Sequence, residues 1–416
     1  MQIKTIHSDL YESFLEKYPC QSFLHSSYAG NKLENDGWNV EYLGYFNQEE
    51  CVATCLLATL PLMKVFRYAY IPRGMAIDYK EKGLLQAFIR DLKRYLKKKN
   101  VVFLEIDPNI PYQQRDKDGK IVENGLNNFE IVNNLKSCGF IHLPMKKGYD
   151  SRKQCRWISG IDLTDRSAEE VFSEFSYMTR QDIRTSNKYQ VQVRELQKDE
   201  LYILDQMEKQ TSQHQGFEAS TLTYYQDLYT YYKNHVKTLY AYLDLNLYGN
   251  KIKSELSKVE TSIEKTKEFL EKNPNSTKKI NRLKTDEEYY QSLQKKIENI
   301  SNLYSKYGNE VPLACCLFIE YGKEVVYLVG ASNYECRNFK GPYAVQWEMI
   351  QQAIKKGYTY YNFYGISGYF NEGEQGYGVF DYKRGYNAIV TEYIGNFVLP
   401  IQKPIFNIYK KLKKEL

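Results

Sequence analysis

Between residues 250 and 308 the chain changes its pattern, and that change limits what the flanking sequence can be. Ile252, Leu256, Val259, Ile263 and Leu270 recur at four-three-four spacing with Thr266 in one seam position, and Ile280, Leu283, Tyr290, Ile297, Ile300, Tyr304 and Tyr307 form a second seam. Each seam is one apolar stripe along a helix. Asn273-Pro274-Asn275-Ser276 lies between them as a turn. The segment therefore predicts an antiparallel two-helix coiled-coil arm, each helix roughly 30–35 Å long at 1.5 Å per residue. Lys278, Lys279, Arg282 and Lys284 stand beside its tip. Cations there suit an RNA backbone, and they suit a plain solvated face equally well. Interrupting a longer pattern, such an arm leaves the sequence on either side to build its own cores.

That flanking sequence alternates strand and helix. Residues 41–60 read as a hairpin with a polar turn at 47–50, and an aromatic strand after it breaks at Pro72-Arg73-Gly74. A helix from about Lys82 to Lys99 leads into the strand 101–106, which stops at Asp107-Pro108. A second unit starts near Arg156, with a capped helix from Ser167 and a basic helix carrying Arg180, Arg184 and Lys188. At 416 residues the chain exceeds one core. The expected division is 1–150, then 151–249 joined to 309–395, with the arm at 250–308 and a basic tail at 396–416. The fold class is α/β with mixed sheets.

Residues 341–388 carry the densest chemistry. An apolar helix ends in Lys355-Lys356-Gly357, a basic last turn and glycine stop. Residues 358–364, YTYYNFY, are aromatic enough to read as a strand buried on both faces. A glycine-rich loop should follow, holding Tyr382-Lys383-Arg384-Gly385-Tyr386. Helix, buried strand and basic glycine-rich loop form a common frame for a polar or anionic substrate. Tyr364, Tyr382 and Arg384 are accordingly candidate substrate contacts.

Composition narrows the classes further. The net charge of +6 suits an anionic partner without requiring one. The eight cysteines contain no CxxC pair and several sit in apolar runs, such as Cys315-Cys316, so they read as reduced core residues rather than zinc ligands or disulfides. Five scattered histidines offer no metal site. The N-terminus lacks a long apolar segment, and no window approaches the roughly 18–20 apolar residues of a membrane span, which places the expected location in the cytoplasm.

Taken in order, QSFLHSSYAGNK, PLMKVFRYAYIPRGMAIDY, FLEIDPNIPYQ, the helical arm, GPYAVQWEMI, YNFYGISG and FDYKRGYNA resemble the Fem aminoacyltransferases (FemA, FemB, FemX and the MurM/MurN group) over nearly the whole chain. The resemblance implies two Gcn5-related N-acetyltransferase-like domains with the arm inserted in the second. It implies transfer of an amino acid from aminoacyl-tRNA onto an amine of the lipid II stem peptide or of the growing interpeptide bridge, with a related Fem-type protein or a second copy as an assembly partner. Lys32 matches a lysine that contacts the substrate phosphates in the family. Ser220 stands where an arginine is expected, a departure for which Arg184 or Arg73 would have to compensate. Asp107 matches the position expected to hold and deprotonate the acceptor amine. Lys383 matches the lysine expected to stabilise charge on the ester or bind the tRNA 3′ end.

Attack of an amine on an activated ester needs mainly positioning, a proton acceptor and oxyanion stabilisation, so no cofactor is called for. Two other classes share the fold. An acyl-CoA N-acyltransferase would use Arg337 to Ala344 as a pyrophosphate loop, although Tyr343 or Ala344 takes the place of its second glycine. A non-catalytic immunity factor would show no turnover. Finally, Ile405, Phe406, Ile408 and Leu412 beside Lys403, Lys410, Lys411, Lys413 and Lys414 form a basic amphipathic tail suited to transient contact with the inner face of the plasma membrane, or to packing on the core.

Overall fold

A computed structural model describes residues 1–150 and 152–413. Two mixed sheets carry the architecture. The first runs in the order β1 (Gln2–Thr5), β2 (Asn39–Asn47), β3 (Glu50–Met63), β4 (Phe66–Ile71), β5 (Val101–Ile106), β15 (Phe397–Pro400) and β7 (Ile141–His142). The second runs β6 (Pro111–Gln114), β14 (Ile389–Tyr393), β8 (Trp157–Asp162), β13 (Tyr360–Gly365), β12 (Glu324–Ser332), β11 (Glu310–Tyr321), β10 (Val236–Asp244) and β9 (Gln192–Glu195). β4 pairs with β5 and β12 with β13 in parallel, each crossover being made by an amphipathic helix: Lys82–Lys98 in the first sheet and Gly341–Lys355 in the second.

The hairpin expected at 41–60 is β2–β3, with β3 running on to Met63 to pair with β4. The aromatic strand of the second half starts at Tyr360, two residues later than read, because Tyr358 and Thr359 still belong to the turn after Gly357, whose φ is +78°.

The boundaries expected at 150 and 396 do not separate the sheets. β6, from the N-terminal stretch, pairs with β14 in the second sheet. β15, from the stretch read as a tail, fills an interior place in the first sheet between β5 and β7. Phe397, Val398 and Leu399 are fully buried, which no solvated tail would allow. The helix Lys403–Lys413 follows, packing Phe406 on Phe103 and leaving Ile408 and Leu412 exposed; Lys414 lies outside the described residues.

The arm is built from Leu245–Lys272 and Thr277–Tyr307, joined at 273–276. The helices are longer than expected, roughly 42 and 46 Å at 1.5 Å per residue. The extra length is rooted in the protein: Leu245, Tyr248, Ile252 and Leu293 belong to the core of the second sheet. Ser262 Oγ donates to Asp286 at 2.7 Å and Lys267 meets Glu287 across the pair. Two expected seam residues, Ile280 and Tyr304, face solvent instead, and Leu303 packs where Tyr304 was expected.

These roots decide how the arm can be cut. Replacing residues 259–290 by a short Gly/Ser linker should leave the melting temperature nearly unchanged. Replacing 250–308 also removes Ile252 and Leu293, each worth roughly 2–5 kcal/mol when truncated in a core, and should lower it by many degrees. Calorimetry of the two deletions checks this, and equal melting would mean the roots carry no stability.

Candidate active site

The turn after β4 approaches the second sheet with a cation at its apex. Arg73 and Gly74 both have positive φ, +56° and +77°, and a buried His25 holds the turn through a 2.6 Å contact between its Nε2 and the Gly74 carbonyl. A Cβ on Gly74 would lie 2.5 Å from the Tyr79 hydroxyl, so the position requires glycine on both counts. Burial lowers the pKa of His25 to about 4, with Arg73 adding to the effect, so the ring is neutral.

Asp107 ends β5 and faces this turn. Its Oδ1 accepts from the Tyr70 hydroxyl at 2.9 Å and from the Arg73 backbone N–H at 2.8 Å, while Oδ2 lies 3.7 Å from the Arg73 guanidinium. Both residues are 5% exposed. Burial raises the Asp107 pKa to about 6, against the pull of Arg73 and the two hydrogen bonds. From the second sheet, Tyr393 places its ring 5.0 Å from the guanidinium. Tyr364 lies within electrostatic reach of Arg73, and its own φ is +63° with its N–H tied to Asn362 Oδ1 at 2.8 Å. A tyrosine in the left-handed region is strained, and such strain collects at functional sites.

Lys383 joins the same region from a different element than expected. The segment read as a loop is a helix, Tyr377–Arg384, opened by Gly376 at φ +79°, and Lys383 sits in its last turn. Glycines 376 and 378 suggested a loop, but only the first is used for a turn. The lysine is 5% exposed and its Nζ donates to the Gly365 carbonyl at 2.7 Å, one residue beyond Tyr364. Burial lowers its pKa to about 7, with the Cys155 thiol opposing.

The helix also separates the neighbours of Lys383, since consecutive residues point about 100° apart. Tyr382 packs on Tyr343 and Tyr386 in the aromatic core. Arg384 pairs with Asp118 at 3.2 Å and Asp381 at 2.5 Å, tying the helix to the loop after β6. Neither enters the cluster of Arg73, Asp107 and Lys383. Lys32 lies on the helix Ser27–Asn35, bonded to Asp36 and 5.5 Å over the ring of Tyr224, which in turn acts electrostatically on Tyr364. Lys32 thus borders the cluster without joining it. The backbone N–H of Ser220 donates to Glu208 at 2.9 Å. Arg73 is enclosed with Asp107, and Arg184 is exposed on another helix over the Phe172 ring, so the contacts of neither arginine replace the expected cation at Ser220. On the arm, Lys278 and Lys284 are exposed, Lys279 covers Phe269, and Arg282 is held by Asp286 and Ser262. The stretch compared with a pyrophosphate loop has its cations engaged, Arg337 over Tyr334 and Lys340 on Asp182.

Two features of the site escaped sequence reading. Glu324, at the start of β12, has its pKa raised to about 7 by burial. Glu392 is buried between Arg115 and Arg156, both of which lie over Trp157, and so fastens β6 to the second sheet. Each depends on a pairing distant in sequence. A concavity of about 420 Å³ lies between Asn31, Glu34 and Asn35 on one side and Thr230, Tyr231 and Lys233 on the other, with none of the buried cluster in its wall. Among the described residues no three His, Cys, Asp or Glu side chains are grouped to hold a metal ion.

A family model described as the FemAB family matches residues 6–414. The chain belongs to this family. It is 37% identical over 368 residues to the aminoacyltransferase FemA of Staphylococcus epidermidis, covering 88% of each chain. It is 35% identical over 380 residues to the FemA of Staphylococcus aureus, covering 91% of this chain and 90% of that one. The crystal structure of FemX shares the fold, with a TM-score of 0.81 over 98% of this chain and 99% of the other at 21% identity.

The burial of Lys383 has a measurable cost. Below pH 7 the lysine is charged in both the folded and unfolded states and the desolvation penalty is felt in full. Between pH 7 and its ordinary value of 10.5 the folded protein holds it neutral, and the penalty shrinks as pH rises. Lys383→Met should therefore raise stability at pH 6 and lose that advantage by about pH 10, as denaturant titrations at the two values will show. A stability change independent of pH would mean the ammonium is solvated in the folded state.

Proposed function

We propose that the protein is an aminoacyltransferase of peptidoglycan bridge synthesis, moving an amino acid from aminoacyl-tRNA to an amine of the lipid II stem peptide or of the growing bridge. The observation that carries this reading is the likeness to the FemA aminoacyltransferases along 88% of both chains. Transfer requires the amine to lose a proton and the ester carbonyl to gain negative charge before the ribose oxygen departs. Asp107, with its pKa near 6, is ionised at neutral pH and fixes Arg73, while Lys383 offers an ammonium donor in a site shielded from water, where such a donor acts most strongly. Asp107 is almost wholly enclosed, so it acts by fixing Arg73 within the site.

Arm contact with tRNA and peripheral contact with the inner membrane face belong to the same reading. Among the described residues no helix is long and apolar enough to cross a membrane. The exposed Ile408 and Leu412 beside Lys410 and Lys411 give the Lys403–Lys413 helix a surface that an anionic leaflet would attract, at roughly 1 kcal/mol per cation.

Incubation with charged tRNAs and lipid II, followed by mass spectrometry of the acceptor, tests the reaction. No added residue from any charged tRNA would refute it. With activity in hand, Lys383→Ala should lower kcat by roughly 10²–10³ with little change in KM, the size of losing one oxyanion donor. The wild-type rate should rise through pH 6 as Asp107 ionises and fall above about pH 7 as Lys383 loses its proton. The part of the acid limb set by Asp107 should be lost in Asp107→Asn, and the alkaline limb in Lys383→Ala.

A further inference from the structure

Arg73 is paired with Asp107 from the first sheet and acts at longer range on a second carboxylate, Glu324, from the other. Asp107 presents no oxygen to solvent: Oδ1 accepts two hydrogen bonds, and Oδ2, 3.7 Å from the guanidinium, is buried without a hydrogen-bond partner. Glu324 differs. It opens β12 in parallel register with Tyr360, two residues before Asn362, and Asn362 Nδ2 donates to its Oε2 at 3.1 Å. Asn362 is 5% exposed, whereas Glu324 remains partly exposed. One oxygen is thus anchored by a buried amide, in a residue that keeps partial exposure.

Charge points the same way. Arg73 acts on both Asp107 and Glu324, and Tyr393 feels Arg73, Glu324, Tyr360 and Tyr364 together. A carboxylate held on one oxygen leaves the other for a cation such as a primary ammonium.

We propose that Glu324 receives the acceptor ammonium of the transfer reaction, binding it at the oxygen not held by Asn362 and taking one of its protons. This rests on the reaction class proposed above. The acceptor R–NH3+ gives a proton to the Glu324 carboxylate, and the neutral amine adds to the ester carbonyl of the donor. The C–N bond forms, the C–O bond to the ribose breaks, and the second amine proton ends on the ribose oxygen. Glu324 then returns its proton to solvent. Asn362 from β13 bonds it, and the charged or titratable groups within electrostatic reach are Arg73 from the turn after β4, Tyr360 from β13 and Tyr393 from β14. Burial brings its carboxyl to about pH 7, suited to exchange of a proton at neutral pH.

The test compares the full-length wild type with Glu324→Gln, an isostere that keeps the Asn362 contact available, and with Asn362→Ala, which frees the carboxylate without removing it. At pH 7, Glu324→Gln should lower kcat/KM for the acceptor at least 30-fold with the KM for aminoacyl-tRNA within twofold. The deficit should narrow at pH 9.5, where a larger share of the amine is already neutral in solution. Asn362→Ala should lose three- to tenfold. In a separate arm, calorimetric binding of a short peptide with one free primary amine should weaken at least tenfold in Glu324→Gln, and this needs no turnover. A Glu324→Gln enzyme within threefold of wild type at pH 7, a deficit equal at both pH values, or unaltered peptide binding would overturn the proposal. A wild type without transfer activity would instead refute the reaction class, leaving the peptide arm to decide Glu324.

Discussion

Enclosing a guanidinium costs several kcal/mol unless its partners are fixed in advance, and Arg73 is enclosed where the two sheets meet. Its partners come from both: Asp107 at the end of β5, Tyr393 at the end of β14, and Tyr364 one residue before the end of β13. Much of the surrounding structure exists to hold it. His25 pins the turn, Tyr70 holds the carboxylate, and Asn109 Nδ2 reaches back to the Gln21 carbonyl so that the chain after Asp107 cannot swing away. A residue that only joined two domains would more cheaply be apolar. Retaining an ion pair here fits a place where charge is used.

The sheets are also stitched by exchange. β6 completes the second sheet and is locked there by Glu392 with Arg115 and Arg156, while β15 completes the first. The turn between β11 and β12 also docks on the N-terminal half: Tyr321 donates to Glu12 at 2.9 Å, and Gly322 fits against the Gln21 side chain with no room for a Cβ. Glu324 follows directly on that turn, so the contact that seats the hairpin also sets the second carboxylate opposite Arg73.

What the sequence revealed follows the range of the forces involved. Helix Lys82–Lys98, strand Val101–Ile106 and helix Gly341–Lys355 were legible because apolar periodicity and end signals are local. The family was legible from ordered motifs. The helix under Lys383 was not, since Gly376 and Gly378 favour a loop in isolation and only packing of Phe380 and Lys383 against the second sheet makes the turn of helix hold. Tyr382 and Arg384 were grouped with Lys383 because they are adjacent in the chain, and adjacency on a helix scatters side chains. Glu324 gave no signal at all: a glutamate after Tyr-Gly-Lys reads as a solvated turn, and its environment is supplied by Arg73 and Asn362 from far along the sequence.

The position of β15 carries a consequence for how the chain acquires its shape. As synthesis proceeds, β1 to β5 and β7 emerge early, yet the place between β5 and β7 stays vacant until the whole second sheet and the arm have been made. Through that interval β5 presents an unpaired, strongly apolar edge, the kind of surface that recruits other chains. β6, meanwhile, waits for β14. Neither half can mature first and serve as a finished template for the other, so the enzyme reaches its native state as one late, long-range closure rather than domain by domain.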